Sequence, residues 1–250
     1  MPYADNNGVR IHYEVESEGP PLILVHGFLG SLNDWRRFGY VDRLKDHYQL
    51  VLIDARAHGA SGKPHAISDY GRSLMASDVL AVMDSASIDR AHYWGYSMGG
   101  TIAFGLAKLA PDRFESMIVG AATHEAPPNA TRMAEGLATG IEAFVTALEA
   151  RGPLPPPTRA AFLANDAEAL SACILALAQD NAPGNPEDFA MSCLAYAGED
   201  DEGCARFLEM STRMPHASFV ALPGLNHITG LLRSDIVLPH VTAFLAKVAI

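Results

Sequence analysis

Cysteine is scarce, with only Cys173, Cys193 and Cys204 in 250 residues. An odd count without metal-ligand spacing argues against a disulfide framework or a zinc site. Reduced thiols in a cytoplasmic protein are the expectation. Basic residues are also few. Eighteen Lys and Arg stand against 29 Asp and Glu, a formal net charge of −11. That balance disfavours a nucleic-acid partner, which needs a basic surface against phosphate. No apolar run reaches the roughly 18 residues of a membrane span. Met1–Gly8 lacks the basic-then-apolar plan of a signal peptide. What is present suits a globular protein, with 49% hydrophobic and 19% charged residues. The length fits one domain, or one domain with a sizeable insertion, and can bury a full core without cross-links. There is no internal repeat and no low-complexity linker, and oligomeric state is left open.

Short apolar runs alternate with longer helical stretches. Leu22–Val25, Leu50–Ile53, His92–Trp94, Met117–Val119, Leu194–Ala197 and Ser218–Leu222 read as strands. Most are continuously apolar, as strands covered on both faces should be. Tyr70–Ala86, Met98–Leu109 and Arg233–Val248 read as helices. The alternation predicts a mainly parallel sheet with right-handed crossovers. Ile11–Glu16 alternates and predicts an antiparallel strand near the N-terminus. From His124 to Phe189 the rhythm stops. Met133, Leu137, Ile141, Phe144, Val145 and Leu148 fall at spacings of three and four, which predicts one amphipathic helix. Leu170, Cys173, Ile174 and Leu177 predict another, with Asp166 as its N-cap. Pro153, Pro155, Pro156 and Pro157 separate the two pieces. The expected organisation is an α/β core over 1–123 and 190–250 with a helical insertion over 124–189.

The sharpest chemical signal is Gly95-Tyr96-Ser97-Met98-Gly99, followed by Gly100, between a predicted strand and a predicted helix. A serine in such a turn has a strained backbone and an exposed hydroxyl, and larger neighbours than glycine would crowd it. A phosphate loop is the competing reading, but no Gly-Lys-Ser/Thr follows. A serine hydroxyl needs a base, and the base needs an orienting carboxylate. His227, in Pro223-Gly224-Leu225-Asn226-His227, lies past the last strand, on a loop at the carboxyl edge of the sheet. Most of the other nine histidines lie elsewhere, His12, His47, His92 and His240 among them. Glu199, Asp200 and Asp201 follow the strand Leu194–Ala197, and any of the three could serve as the acid by position alone.

The order Ser97…Asp201…His227, with the glycine elbow, resembles the α/β-hydrolase superfamily over nearly the whole chain. The resemblance implies the α/β-hydrolase fold: a mostly parallel central sheet flanked by helices, with 124–189 as a helical cap. It favours Asp201 over Asp200, because the family's acid is the fourth residue of a Gly-x-x-Asp turn. His26-Gly27-Phe28 looks like the family's oxyanion loop, so the backbone N–H groups of Phe28 and Met98 are the implied oxyanion donors. Asp54–Ser61 looks like the motif after the next strand, with Ala57 where the family usually has glycine. His26 and His58 are then loop-organising residues. The implied activity is carboxylic ester hydrolysis through an acyl-enzyme on Ser97, on a small and moderately hydrophobic acyl or aryl substrate. Carbon–carbon bond hydrolases, enol-lactonases and perhydrolases are similar, and so are ligand receptors of this fold with slow turnover. Dehalogenases and epoxide hydrolases carry a carboxylate at the elbow, which serine disfavours. No metal or organic cofactor is implied. The apolar faces of the insertion, Leu137 and Phe144 among them, either line the pocket or pack the cap onto the core.

Overall fold

The computed structural model describes residues 2–150, 154–180 and 184–248. Its centre is an eight-stranded sheet in the order β1-β2-β4-β3-β5-β6-β7-β8. The strands are β1 (Tyr3–Asn6), β2 (Val9–Glu16), β3 (Pro21–Val25), β4 (Gln49–Ile53), β5 (Ala91–Tyr96), β6 (Phe114–Gly120), β7 (Ser192–Gly198) and β8 (Ala217–Leu222). β2 pairs antiparallel with β1 and with β4, and the remaining pairs are parallel. The continuous apolar runs follow from this layering. Within β3, Ile23 and Val25 enter one core while Leu22 and Leu24 enter the other. β4 divides in the same way, with Val51 and Ile53 on the first side and Leu50 and Leu52 on the second. A strand buried on both faces gains from every apolar side chain, so alternation disappears. The polar edge strand β1 lies outside the sequence expectation because Tyr-Ala-Asp-Asn has no apolar run.

One face is covered by α3 (Arg72–Ser85) and α4 (Met98–Leu109), whose side chains join the first core. The other carries α1 (Asn33–Arg37), α2 (Tyr40–Leu44) and the C-terminal α11 (Ser234–Val248). Trp35, Tyr40 and Trp94 stack edge-on there at centroid separations of 5.1–5.2 Å. Aromatic edge-to-face packing of this kind adds to the area each ring buries.

Between β6 and β7 run α5 (Ala130–Ala138), α6 (Ile141–Glu149), α7 (Pro156–Leu163) and α8 (Ala167–Gln179). This corrects the single amphipathic helix expected over 133–148. The apolar spacing continues across it, but Gly140 at φ 104° turns the backbone and ends α5. Leu137 and Phe144 therefore lie on different helices. The prolines also read differently. Pro156 and Pro157 occupy the first turn of α7, where a missing N–H costs nothing. Pro153 lies outside the described residues. Asp166 caps α8 by accepting from the Glu168 and Ala169 N–H groups, both at 3.0 Å. The remaining helices are α9 (Cys204–Thr212) and α10 (Thr229–Leu232). Among the described residues, no single helix is long and apolar enough to cross a membrane.

Candidate active site

Ser97 sits between β5 and α4 at φ 51°, a left-handed conformation that a serine adopts only under constraint. Three backbone hydrogen bonds supply that constraint. Ser97 N–H donates to the Gly120 carbonyl at 2.8 Å, Thr101 N–H to the Ser97 carbonyl at 2.8 Å, and Gly99 N–H to the His26 carbonyl at 3.1 Å. The elbow glycines answer to close approach. A Cβ on Gly95 would clash with the Gly99 carbonyl, and one on Gly99 with the Val25 carbonyl.

The three sequence-selected side chains meet here. Ser97 Oγ lies 2.9 Å from His227 Nε2, and His227 Nδ1 lies 2.7 Å from Asp201 Oδ2. A carboxylate only accepts, so Nδ1 carries the imidazole proton and Nε2 is left to accept from the serine hydroxyl. Asp201 is 8% exposed, whereas Glu199 and Asp200 face solvent. Its second oxygen accepts from Gly203 N–H at 2.8 Å. Burial pushes the Asp201 carboxyl up, but the His227 bond and charge, Gly203 N–H and Arg206 together hold it below the usual carboxylate range. The His227 loop is fixed by Tyr96, whose hydroxyl donates to the His227 carbonyl at 2.6 Å. Tyr96 lies inside the elbow motif, yet a helper role has no sequence signal.

Phe28 and Met98 flank the serine. Gly27 packs its backbone against the Ser97 side chain, and Phe28 follows it. Among the described residues, neither the Phe28 N–H nor the Met98 N–H is used in a hydrogen bond. Two histidines hold the Phe28 loop. His26 Nε2 accepts from Ala55 N–H at 3.1 Å, and its Nδ1–H donates to the Gly27 carbonyl at 2.7 Å. His58 Nε2 accepts from Leu29 N–H at 3.2 Å, and its Nδ1–H donates to the Arg56 carbonyl at 2.9 Å. On its other side, the Leu29 carbonyl accepts from Asn165 Nδ2 at 2.9 Å. Ala57 takes φ 73°, so the turn that glycine usually makes is retained with an alanine.

A cleft of about 610 Å³, including space open to solvent, surrounds Ser97 and His227. Leu154, Pro155, Thr158 and Phe162 line it from the α6–α7 region, with Phe38 and Leu231 from the core. Leu137 and Phe144 are not among the lining residues. They are 1% and 6% exposed within the core, Phe144 packing against Gly136. Asp34 also lines the cleft, at 4% exposure. Burial pushes its carboxyl above the usual range, only partly offset by the Ser31 N–H and Arg37. None of the lining residues from α7 or from 28–38 other than Phe28 has a sequence signal, because each reaches the cleft only through tertiary packing. Among the described residues, no cluster of three or more His, Cys, Asp or Glu side chains is placed to hold a metal ion.

Comparison with known proteins gives a consistent context. The esterase YbfF of Escherichia coli is 34% identical over 99 residues, 39% of this chain and 37% of that protein. The soluble epoxide hydrolase of a Corynebacterium species is 30% identical over 113 residues, 45% of this chain and 38% of that protein. The curated relatives match over only part of their own length, from 20% to 54%. Among solved structures, the enol-lactonase from Burkholderia xenovorans LB400 superimposes with a TM-score of 0.87 at 27% identity, covering 98% of this chain and 100% of that one. The sequence pattern of the alpha/beta hydrolase fold matches residues 20–150, more than half of the chain. The chain belongs to the alpha/beta hydrolase fold family.

Proposed function

We propose that the protein is a serine hydrolase that cleaves a carboxylic ester or similar acyl substrate through an acyl-enzyme on Ser97. The observation that carries this reading is the chain Ser97 Oγ–His227 Nε2–His227 Nδ1–Asp201 Oδ2, with links of 2.9 and 2.7 Å. Ser97 attacks the carbonyl while His227 Nε2 takes its proton and passes it to the leaving group. Asp201 fixes the Nδ1–H tautomer and stabilises the imidazolium. Water activated by His227 then releases the acyl group. The oxygen of the tetrahedral intermediate becomes negative, and the N–H groups of Phe28 and Met98 receive it. Met98 opens α4, where its own free N–H and the helix dipole favour an anion. Each such donor is worth about 3–4 kcal/mol in the transition state.

Residues 124–189 act as a cap that selects substrates, a reading supported by Leu154, Pro155, Thr158 and Phe162 along the cleft. The unpaired Cys173, Cys193 and Cys204 support a reducing compartment, so we place the protein in the cytoplasm. Similarity to an enol-lactonase along the whole chain favours a cyclic ester as the second reading. A fluorophosphonate probe tests the chemistry common to both. The expected result is one adduct, on Ser97, together with ester hydrolysis that Ser97→Ala abolishes. An adduct elsewhere, or none, would sink the proposal.

A further inference from the structure

The cleft wall beside Ser97 and His227 is almost wholly apolar, with Phe28, Phe38, Leu154, Phe162 and Leu231 prominent. Apart from Tyr96, whose hydroxyl is bonded to the His227 carbonyl, two lining side chains depart from this. Asp34 is the only Asp, Glu, Lys or Arg among the described residues that line the cleft. One of its oxygens accepts from Arg37 Nη1 at 2.8 Å and the other from Ser31 N–H at 3.1 Å. Two bonds leave a carboxylate with acceptor capacity in reserve. Thr158 is the second. It is 4% exposed, and its hydroxyl has no hydrogen-bond partner among the described residues. A threonine in a helix commonly bonds a carbonyl in the preceding turn. This one does not, and a buried polar group left unpaired in a native protein calls for an explanation.

We infer that the cleft selects acyl substrates carrying an uncharged or cationic hydrogen-bonding group and rejects those carrying a free carboxylate, Asp34 setting the sign and Thr158 supplying the neutral contact. This rests on the acyl-transfer reading above and narrows its substrate. A substrate carboxylate would lose its water to apolar walls, find no lysine or arginine lining the cleft, and meet a like charge at Asp34. A hydroxyl or ammonium group could donate to Asp34. The Thr158 hydroxyl, both donor and acceptor, would gain the partner it lacks.

Three esters of similar length test this: methyl butyrate, methyl 3-hydroxybutyrate and monomethyl succinate, followed by proton release at neutral pH. In the native enzyme, kcat/KM for the hydroxy ester should exceed that for methyl butyrate by about 3–10-fold, the worth of one neutral hydrogen bond. Monomethyl succinate should fall below methyl butyrate by about tenfold or more. Thr158→Val keeps the side-chain shape and removes the hydroxyl. It should bring the hydroxy-to-butyrate ratio down toward one, with a melting temperature equal to or above the native value. Asp34→Asn should narrow the gap against monomethyl succinate by about tenfold. Where Asp34→Asn does not fold, Thr158→Val decides alone. Flat ratios across the three esters in an active enzyme, or an unchanged ratio in Thr158→Val, overturn the cleft inference and leave the hydrolase reading standing. If Ser97 takes no fluorophosphonate and no ester is cleaved, both fall together.

Discussion

Two histidine-bearing loops, one packed behind Phe28 and one beside Ser97, are built for opposite ends. His58, in the loop after β4, is wholly buried, and each ring nitrogen is bonded to a backbone group. Burial pushes its imidazole from the ordinary 6.5 to about 3. Such a ring stays neutral and holds still. His227, in the loop after β8, is bonded instead to two side chains, one an acceptor carboxylate and one a hydroxyl. Its ring is exposed at the cleft, with Nε2 facing Ser97 and Nδ1 held 2.7 Å from Asp201. The same residue is a strut in one place and, on the proposed chemistry, a proton carrier in the other, and the partners decide which.

The largest test removes the charge that distinguishes the two. Asp201→Asn leaves His227 beside a neutral amide that no longer favours the Nδ1–H tautomer. Turnover should fall about 10⁴-fold, as in other serine triads, while Asp200→Asn, in the exposed part of the turn, should stay within a fewfold of native. Equal losses in both would remove Asp201 from its assigned role.

Next comes the strut. His58→Ala strips the partner from the buried Leu29 N–H and opens a cavity, so unfolding free energy should drop by roughly 2–4 kcal/mol. Urea denaturation measures it. A loss below about 1 kcal/mol would mean that His58 merely fills space.

The smallest effect is a slope. A histidine depressed to about 3 in the folded chain takes up its proton first in the unfolded one, near the ordinary 6.5. Its contribution is whole above that ordinary value and is lost as pH falls toward 3. Over that window the native protein should lose up to about 1.4 kcal/mol per pH unit more than His58→Gln does. Parallel curves for the two proteins would place His58 in a wetter setting.

The same contrast explains what the sequence made legible. The elbow reads clearly because close backbone approach at Gly95 and Gly99 demands glycine at fixed spacing, a purely local requirement. Strands β3, β4 and β5 read clearly because burial on both faces leaves mostly apolar residues. By contrast, α1 and α2 are five-residue helices held by Trp35 and Tyr40 in the second core, and nothing local announces them. Gly140 splits a helix whose apolar spacing runs on past it, since periodicity records which face is buried and not where the axis turns. That is also why Leu137 and Phe144, named from amphipathic spacing, lie in packing while Phe162 and Leu154 reach the cleft. Spacing identifies side chains that leave water. It does not distinguish those that meet a substrate from those that meet a neighbouring helix.

Leu29 joins these regions mechanically. Its N–H is held by His58 from the core, and its carbonyl by Asn165 from the turn between α7 and α8. With φ at 68° it has little slack to absorb a pull from either side. The α7–α8 turn is therefore tied, as by a rod, to the residue next to Phe28. On the proposed chemistry, whatever crowds or relaxes the helices above the cleft also trims the aim of an oxyanion donor. Recognition and speed are then two readings of one linkage, and a substitution chosen to widen the entrance would also retune the rate.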